Sequence, residues 1–217
     1  MSRVLPIARE GWPVIAMAAG VLGLVAVVGT AAGHPASIVP LVIGLALCLN
    51  FFRDPERAAP PGEYRVVSPA DGRVVAVVPE REDRFLGTTA TRISIFMSPL
   101  NVHVNRNPVS GTVERVQHTN GKFRAAFADK ASLDNERNAL HLRTSAGIDV
   151  TCVQIAGLVA RRILCYVKTG DRLTRGQRYG FIRFGSRLDV YLPPDATPRA
   201  SVGDRVHATE SILAELN

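Results

Sequence analysis

The sequence predicts a mainly β protein, a single β-rich domain preceded by an N-terminal helical membrane hairpin. Three observations predict it. The first 52 residues carry only Arg3, Arg9 and Glu10 as charges, so two long stretches there are uncharged. From residue 73 onward, short runs of β-branched and aromatic residues follow one another at strand length. Gly, Pro, Asn and Asp punctuate those runs at nearly every boundary.

In chain order, the hairpin comes first. No charge lies between Trp12 and Ala32, and after Gly33-His34-Pro35 a second uncharged run extends from Ala36 to Phe52. A bilayer core takes about 20 apolar residues as helix. Arg3 and Arg9 precede the first run, Arg53 and Arg57 follow the second, and the turn between holds neither Lys nor Arg. Positive flanks place both ends in the cytoplasm and the tip outside. A re-entrant or interfacial hairpin, bent at Pro13 and Pro40, stays open beside two full spans. A cleaved signal peptide does not fit, because a second apolar run follows and no cleavage site is evident.

Residues 1–52 therefore form the hydrophobic hairpin, 53–63 a charged and proline-rich linker, and 64–217 the polar domain. Of the net charge of +7, the hairpin region holds +1 and the remainder +6. A basic domain beside an apolar anchor is drawn to anionic headgroups at roughly 1 kcal/mol per Lys or Arg near the surface. Nucleic acid is not the expected partner, since no basic run is interleaved with aromatics and no zinc spacing occurs. Cys48, Cys152 and Cys165 form no C-x-x-C pair, which fits buried thiols in a reducing compartment.

The strand candidates are Arg73–Val78, Arg92–Phe96, Gly111–Val116, Asn138–Thr144, Asp149–Ile155 and Tyr179–Phe184. Only Phe123–Ser132 reads as helical or irregular. Gly170-Asp-Arg-Leu173 is echoed by Gly203-Asp-Arg-Val206. Turns of this form recur in lipoyl-like barrels, so lipoyl- or barrel-like hairpins are expected.

The single Gly-Ser pair of the chain, Gly185-Ser186, falls between two apolar strand-like runs. A Gly-Ser turn in a hairpin is commonplace. If the bend strains the bond, however, the Ser186 hydroxyl can attack the Gly185 carbonyl and move the acyl group from nitrogen to oxygen. Glycine leaves that carbonyl unobstructed and tolerates unusual dihedrals. β-Elimination of the ester and hydrolysis of the dehydroalanine would leave a pyruvoyl group at position 186. Such a carbonyl forms a Schiff base with a primary amine and serves as an electron sink for decarboxylation.

Several blocks occur in one order: Phe51-Phe-Arg-Asp-Pro-Glu56, Ser68-Pro-Ala-Asp-Gly72, Phe96-Met-Ser-Pro-Leu-Asn-Val-His-Val-Asn105 with Pro108-Val-Ser-Gly111, Gly121-Lys-Phe123, Asp129-Lys-Ala-Ser132, Asn135-Glu-Arg-Asn138 and Phe184-Gly-Ser186. Together they resemble the short, single-domain phosphatidylserine decarboxylase family, a close relative of the archaetidylserine decarboxylases. The resemblance implies a proenzyme that cuts itself into a β chain, 1–185, and an α chain, 186–217, which stay associated. It implies a covalent pyruvoyl cofactor from Ser186, phosphatidylserine as substrate, phosphatidylethanolamine and CO2 as products, and a cell-membrane location with the catalytic domain on the cytoplasmic face. A homo-oligomer is compatible with it.

By the same resemblance, Asp71 orients a histidine and stabilises its charged form. Longer relatives carry His-x-x-His after the Ser-Pro, and the second histidine belongs to the self-cleavage triad. Here the segment reads His103-Val-Asn-Arg106. His103 is then the candidate for activating Ser186 or protonating the substrate carbon. Arg106 is a candidate for binding the headgroup or for holding Asp71. His118 and His141 are alternative bases outside any matching position. Two other readings stand beside this one. One is a pyruvoyl enzyme for archaetidylserine or a soluble amino acid. The other is a non-enzymatic, membrane-tethered β-barrel adaptor, in which Gly185-Ser186 is only a turn.

Overall fold

Apolar residues on every side distinguish the first helix from an amphipathic one, and the computed structural model leaves most of them facing outward. The structure describes residues 6–121, 135–157, 163–183 and 186–217. The expected helical stretch Phe123–Ser132, and Phe184 and Gly185 beside the expected cleavage point, lie outside the described residues. The chain divides into two compact units, residues 1–56 and 57–217.

In the first unit, α1 (Gly11–Ala31) and α2 (Ile38–Phe51) are joined through a 3-10 turn at Pro35–Ser37. At 1.5 Å per residue α1 is about 31 Å long, enough to cross a hydrocarbon core, and α2 is about 21 Å. Val21, Leu24, Val27, Val42 and Leu47 are all exposed, as lipid-facing side chains are. Close helix contact rests on Gly44, where a Cβ would meet Leu22 Cδ1 at 2.5 Å. The turn is tied by Ser37 Oγ and Thr30 Oγ1, which both donate to the Ala26 carbonyl, at 3.1 and 2.7 Å.

The second unit is built from antiparallel strands, in agreement with the β-rich expectation. Its largest sheet has eight, in the order β13 (Arg205–Val206), β2 (Gly72–Glu82), β3 (Thr88–Met97), β11 (Ser186–Leu192), β7 (Asp149–Ile155), β6 (Arg137–Arg143), β5 (Gly111–Thr119) and β9 (Arg172–Leu173). A second sheet pairs β4 (Val104–Arg106), β10 (Arg178–Ile182) and β8 (Ile163–Cys165) in that order. The third runs β1 (Arg65–Val67), β14 (Ile212–Glu215) and β12 (Thr197–Pro198). Both echoed Gly-Asp-Arg turns lead directly into short edge strands, β9 and β13.

β11 lies at the centre of the large sheet and all seven of its residues are buried. Alternation sends Leu188, Val190 and Leu192 to one face, where they join Ile93, Ile95, Leu140, Leu142 and Cys152 in the main core. Arg187, Asp189 and Tyr191 face the other way. There Tyr191 joins Ala90, Ala139, Val153 and Ile155 in a smaller cluster. Buried charge must be paired, and Arg187 holds Asp189 through two parallel bonds, at 2.7 and 2.8 Å. Burial alone would lower the Arg187 guanidinium, but Asp189 keeps it above its ordinary pKa. Cys152 is a core thiol: burial pushes its pKa up to about 12, which removes it as a nucleophile.

Candidate functional site

Ser186 is the first residue of β11 and points to the main-core side, with Met97 of β3 directly opposite. It is fully buried, and its hydroxyl donates to Met97 Sδ at 3.3 Å. A thioether is a weak acceptor and no base. The hydroxyl is therefore oriented but not activated.

The same sulfur receives a second donor. Asn105 of β4 directs Nδ2 at Met97 Sδ from 3.9 Å. Behind it, Gln154 Nε2 donates to Asn105 Oδ1 at 2.8 Å, and Asn138 Nδ2 donates to Gln154 Oε1 at 3.0 Å. All three amides are buried, and all run nitrogen to oxygen in the same sense, so each polarises the next. The chain bridges two sheets, because Gln154 and Asn138 belong to the large one and Asn105 to the small one. Gly180 permits the crossing: a Cβ there would sit 2.6 Å from Gln154 Nε2 and 2.5 Å from the Leu164 carbonyl.

His103 lies just before β4 and is completely buried. Its Nδ1 is 2.9 Å from the Asn101 carbonyl, which can only accept, so Nδ1 carries the hydrogen and Nε2 is the basic nitrogen. The turn beneath it is fixed: the Ser98 backbone N–H and Oγ–H both donate to Asn101 Oδ1 at 2.8 Å. The Ile182 N–H reaches the His103 carbonyl at 3.3 Å, which ties the histidine to the strand running toward residue 186.

Asp71 sits elsewhere, in the turn between β1 and β2. Arg57 grips it with both terminal nitrogens, Nη1 on Oδ1 and Nη2 on Oδ2, the latter at 2.9 Å. The Ala208 N–H donates to Oδ1 at 2.9 Å, and His207 Nδ1 stands 3.7 Å from Oδ2. Burial raises the carboxyl, but the bonds from Arg57 and Ala208 and the nearby charges of Arg57 and His207 hold it below the usual aspartate value. Asp71 is thus a firmly ionised group already occupied by an arginine.

Of the residues singled out from sequence, Ser186 and His103 lie on segments joined through Ile182, Asn105 and Met97. Among the described residues no hydrogen bond links Ser186 to His103, or either of them to Asp71. Arg106 does not hold Asp71; that partner is Arg57. Arg106 is buried, its Nη1 reaches the Gly176 carbonyl at 3.3 Å, and its N–H donates to Pro69 at 2.9 Å, bracing the turn that carries Asp71. His141 is engaged by Asp149 at 3.1 Å, and in strand register it lies level with Tyr191, five residues along β11 from Ser186, or ~17 Å. His118 is half-exposed and bonded to Asn120 at 3.2 Å. Neither serves residue 186. No group of three or more His, Cys, Asp or Glu suited to a metal occurs among the described residues.

Sequence reasoning missed Arg57, His207, Asn105, Asn138 and Gln154. A signal existed for Gln154: within Asp149–Ile155 it shares parity with Val150 and Cys152, so an amide occupies a core-facing position.

The sequence model of the family described as phosphatidylserine decarboxylase matches residues 45–214. A phosphatidylserine decarboxylase proenzyme of Aromatoleum aromaticum is 54% identical over 210 residues, spanning 97% of this chain and 95% of the relative. The proenzyme of Ralstonia pickettii is 54% identical over 211 residues, 97% and 96% of the two chains. That of Burkholderia mallei is 53% identical over 210 residues, 97% and 95%.

Proposed function

The chain belongs to the phosphatidylserine decarboxylase family, and from that premise we propose that it removes the carboxyl group of phosphatidylserine as CO2, using a pyruvoyl group made from Ser186. The observation that carries the reading is the placement of Ser186. A hydroxyl at the first residue of the central strand is buried away from bulk water and, among the described residues, is bonded to a thioether alone.

Self-cleavage at Gly185–Ser186 divides the chain into β (1–185) and α (186–217) fragments. The α fragment cannot drift away, because β11 stays paired with β3 and β7, and β14 with β1. The new terminus at 186 stays in place through the β11–β3 register, which sets residue 186 opposite Met97.

The position suits a pyruvoyl group. The side chain at 186 faces the Met97 sulfur, behind which the buried amides of Asn105 and Gln154 stand, and among the described residues it bonds to no carboxylate or lysine that would compete for a carbonyl. When present, that group supplies an electrophilic carbonyl that accepts the electron pair left by CO2. The rest falls to the chain's own residues. The His103 Nε2 is the proton carrier, held in one tautomer by the Asn101 carbonyl. Uncharged partners around residue 186 favour loss of the carboxylate charge as CO2. Asp71 keeps the Ser68–Asp71 turn in place through Arg57, and Arg106 braces it from the other side.

The long apolar helix α1 supports anchoring in the cell membrane, and the arginines flanking the hairpin support a catalytic domain on the cytoplasmic face. The reading is tested with phosphatidylserine labelled in the serine carboxyl. Labelled CO2 is released, phenylhydrazine stops the release by capturing the carbonyl, and release that survives phenylhydrazine rejects the pyruvoyl assignment.

A further inference from the structure

In antiparallel register, Arg205 of β13 stands directly opposite Arg73 of β2. Both are exposed, and no acidic partner of either occurs among the described residues. Like charges facing each other across a strand pair repel. The adjacent acid, Asp204, forms no ion pair with either arginine among the described residues, and its Oδ2 accepts from the Ser201 N–H at 2.8 Å. Apolar side chains lie along the same edge: Val202, at the tip of the preceding turn, is 63% exposed, Val75, two residues beyond Arg73, is 37% exposed, and Val78, also 37% exposed, lies further along β2. That turn is rigid. The Gly203 N–H donates to the Val74 carbonyl and the Val74 N–H to the Asp204 carbonyl, each at 2.9 Å, with Gly203 at a φ of +100°. Cations rimmed by exposed aliphatic side chains on a fixed edge match the boundary of an anionic bilayer, where phosphate takes the guanidinium and the acyl region takes the valines.

We propose that the β2–β13 edge, with Arg73 and Arg205 at its centre and Val202 at its tip, docks the catalytic domain on anionic phospholipid. The site is separate from the substrate's own phosphate. Arg205, Arg73, Phe96 and Arg187 form one cross-strand row, so the pair lies two and three strands from Arg187, roughly 10 to 14 Å at ~4.8 Å per strand. It also faces the side of the sheet opposite the Ser186 side chain. Only the choice of a lipid ligand rests on the decarboxylase reading.

The test is hydrogen exchange on the full-length protein in nanodiscs, which reads docking whether or not the protein turns over. Replacing a third of the phosphatidylcholine by phosphatidylglycerol slows exchange at 72–78 and 201–206, on the order of fivefold for each arginine engaged. High salt reverses the effect, and Arg73→Gln/Arg205→Gln abolishes it while self-cleavage proceeds at the wild-type rate. Because the salt arm uses the unmodified protein, a variant that fails to fold does not decide the matter. Equal protection on purely zwitterionic discs, or unchanged protection in a folded double variant, overturns the proposal. Protection by inorganic phosphate equal to that by phosphatidylglycerol overturns the bilayer as the source and leaves a soluble-phosphate site.

Discussion

The surroundings of Ser186 and those of Asp71 are built on opposite principles. Around Ser186 the polar groups are neutral: a hydroxyl on a thioether, and three amides in one directed chain. Around Asp71 they are charged and saturated, with Arg57 on both oxygens, an N–H on one and His207 beside the other. A serine–histidine–aspartate arrangement would require the carboxylate to face the histidine. Here the carboxylate serves Arg57, and the histidine is oriented by a backbone carbonyl. In this arrangement the Asp71 carboxylate is committed to Arg57 and the Ala208 N–H of its own corner, while the Ser186 hydroxyl is positioned by uncharged partners.

Substitutions sharpen that contrast, and Ser186→Ala has the largest effect. It abolishes both the two fragments and CO2 release, read by gel and by carboxyl-label assay; retained turnover would remove Ser186 from the chemistry. Next is Arg187→Ala. It leaves the fully buried Asp189 with the more distant Arg92 Nη1, at 3.9 Å, and removing the close partner of a buried pair costs about 3–5 kcal/mol. Thermal unfolding of the detergent-solubilised protein should show it, and a loss below about 1 kcal/mol would mean that water reaches the pair.

Gln154→Leu breaks the amide chain in its middle and leaves Asn105 Oδ1 and Asn138 Nδ2 without their partner, at about 1–3 kcal/mol for each buried group left unsatisfied. Processing should slow more than in Arg57→Ala, if the neutral side positions the serine. The opposite order would move the weight of the reaction to the acid corner.

The smallest effect is on pH dependence. Because the folded Asp71 pKa lies below its ordinary value of 3.8, its contribution to stability is fully present above that value. It is lost as pH falls through the folded pKa. An acid unfolding curve should therefore steepen below about pH 4, and Asp71→Asn should remove that part of the curve. An unchanged acid limb would show that Arg57 does not stabilise the carboxylate.

Much of this was legible in the sequence. Alternating β-branched runs gave strands close to those observed: Gly111–Val116 became Gly111–Thr119, and Asp149–Ile155 was met residue for residue. The Gly-Asp-Arg echo marked two edge strands. Pairing across long separations was not legible. Asn105 meets Gln154 49 residues later, and Asp71 meets Ala208 137 residues later, contacts no local spacing encodes. Arg57 was hidden for another reason. It stands in a charged, proline-rich run that reads as linker, yet its guanidinium is buried against Asp71.

The central claim is that Ser186 is converted to the reactive carbonyl by breaking the bond before it, and intact mass measurement of the purified full-length protein tests it most directly. Two polypeptides are expected, residues 1–185 and 186–217. The shorter should carry no free amine at its start and should gain mass on treatment with a carbonyl reagent. A single unreactive chain of 23.4 kDa would contradict it.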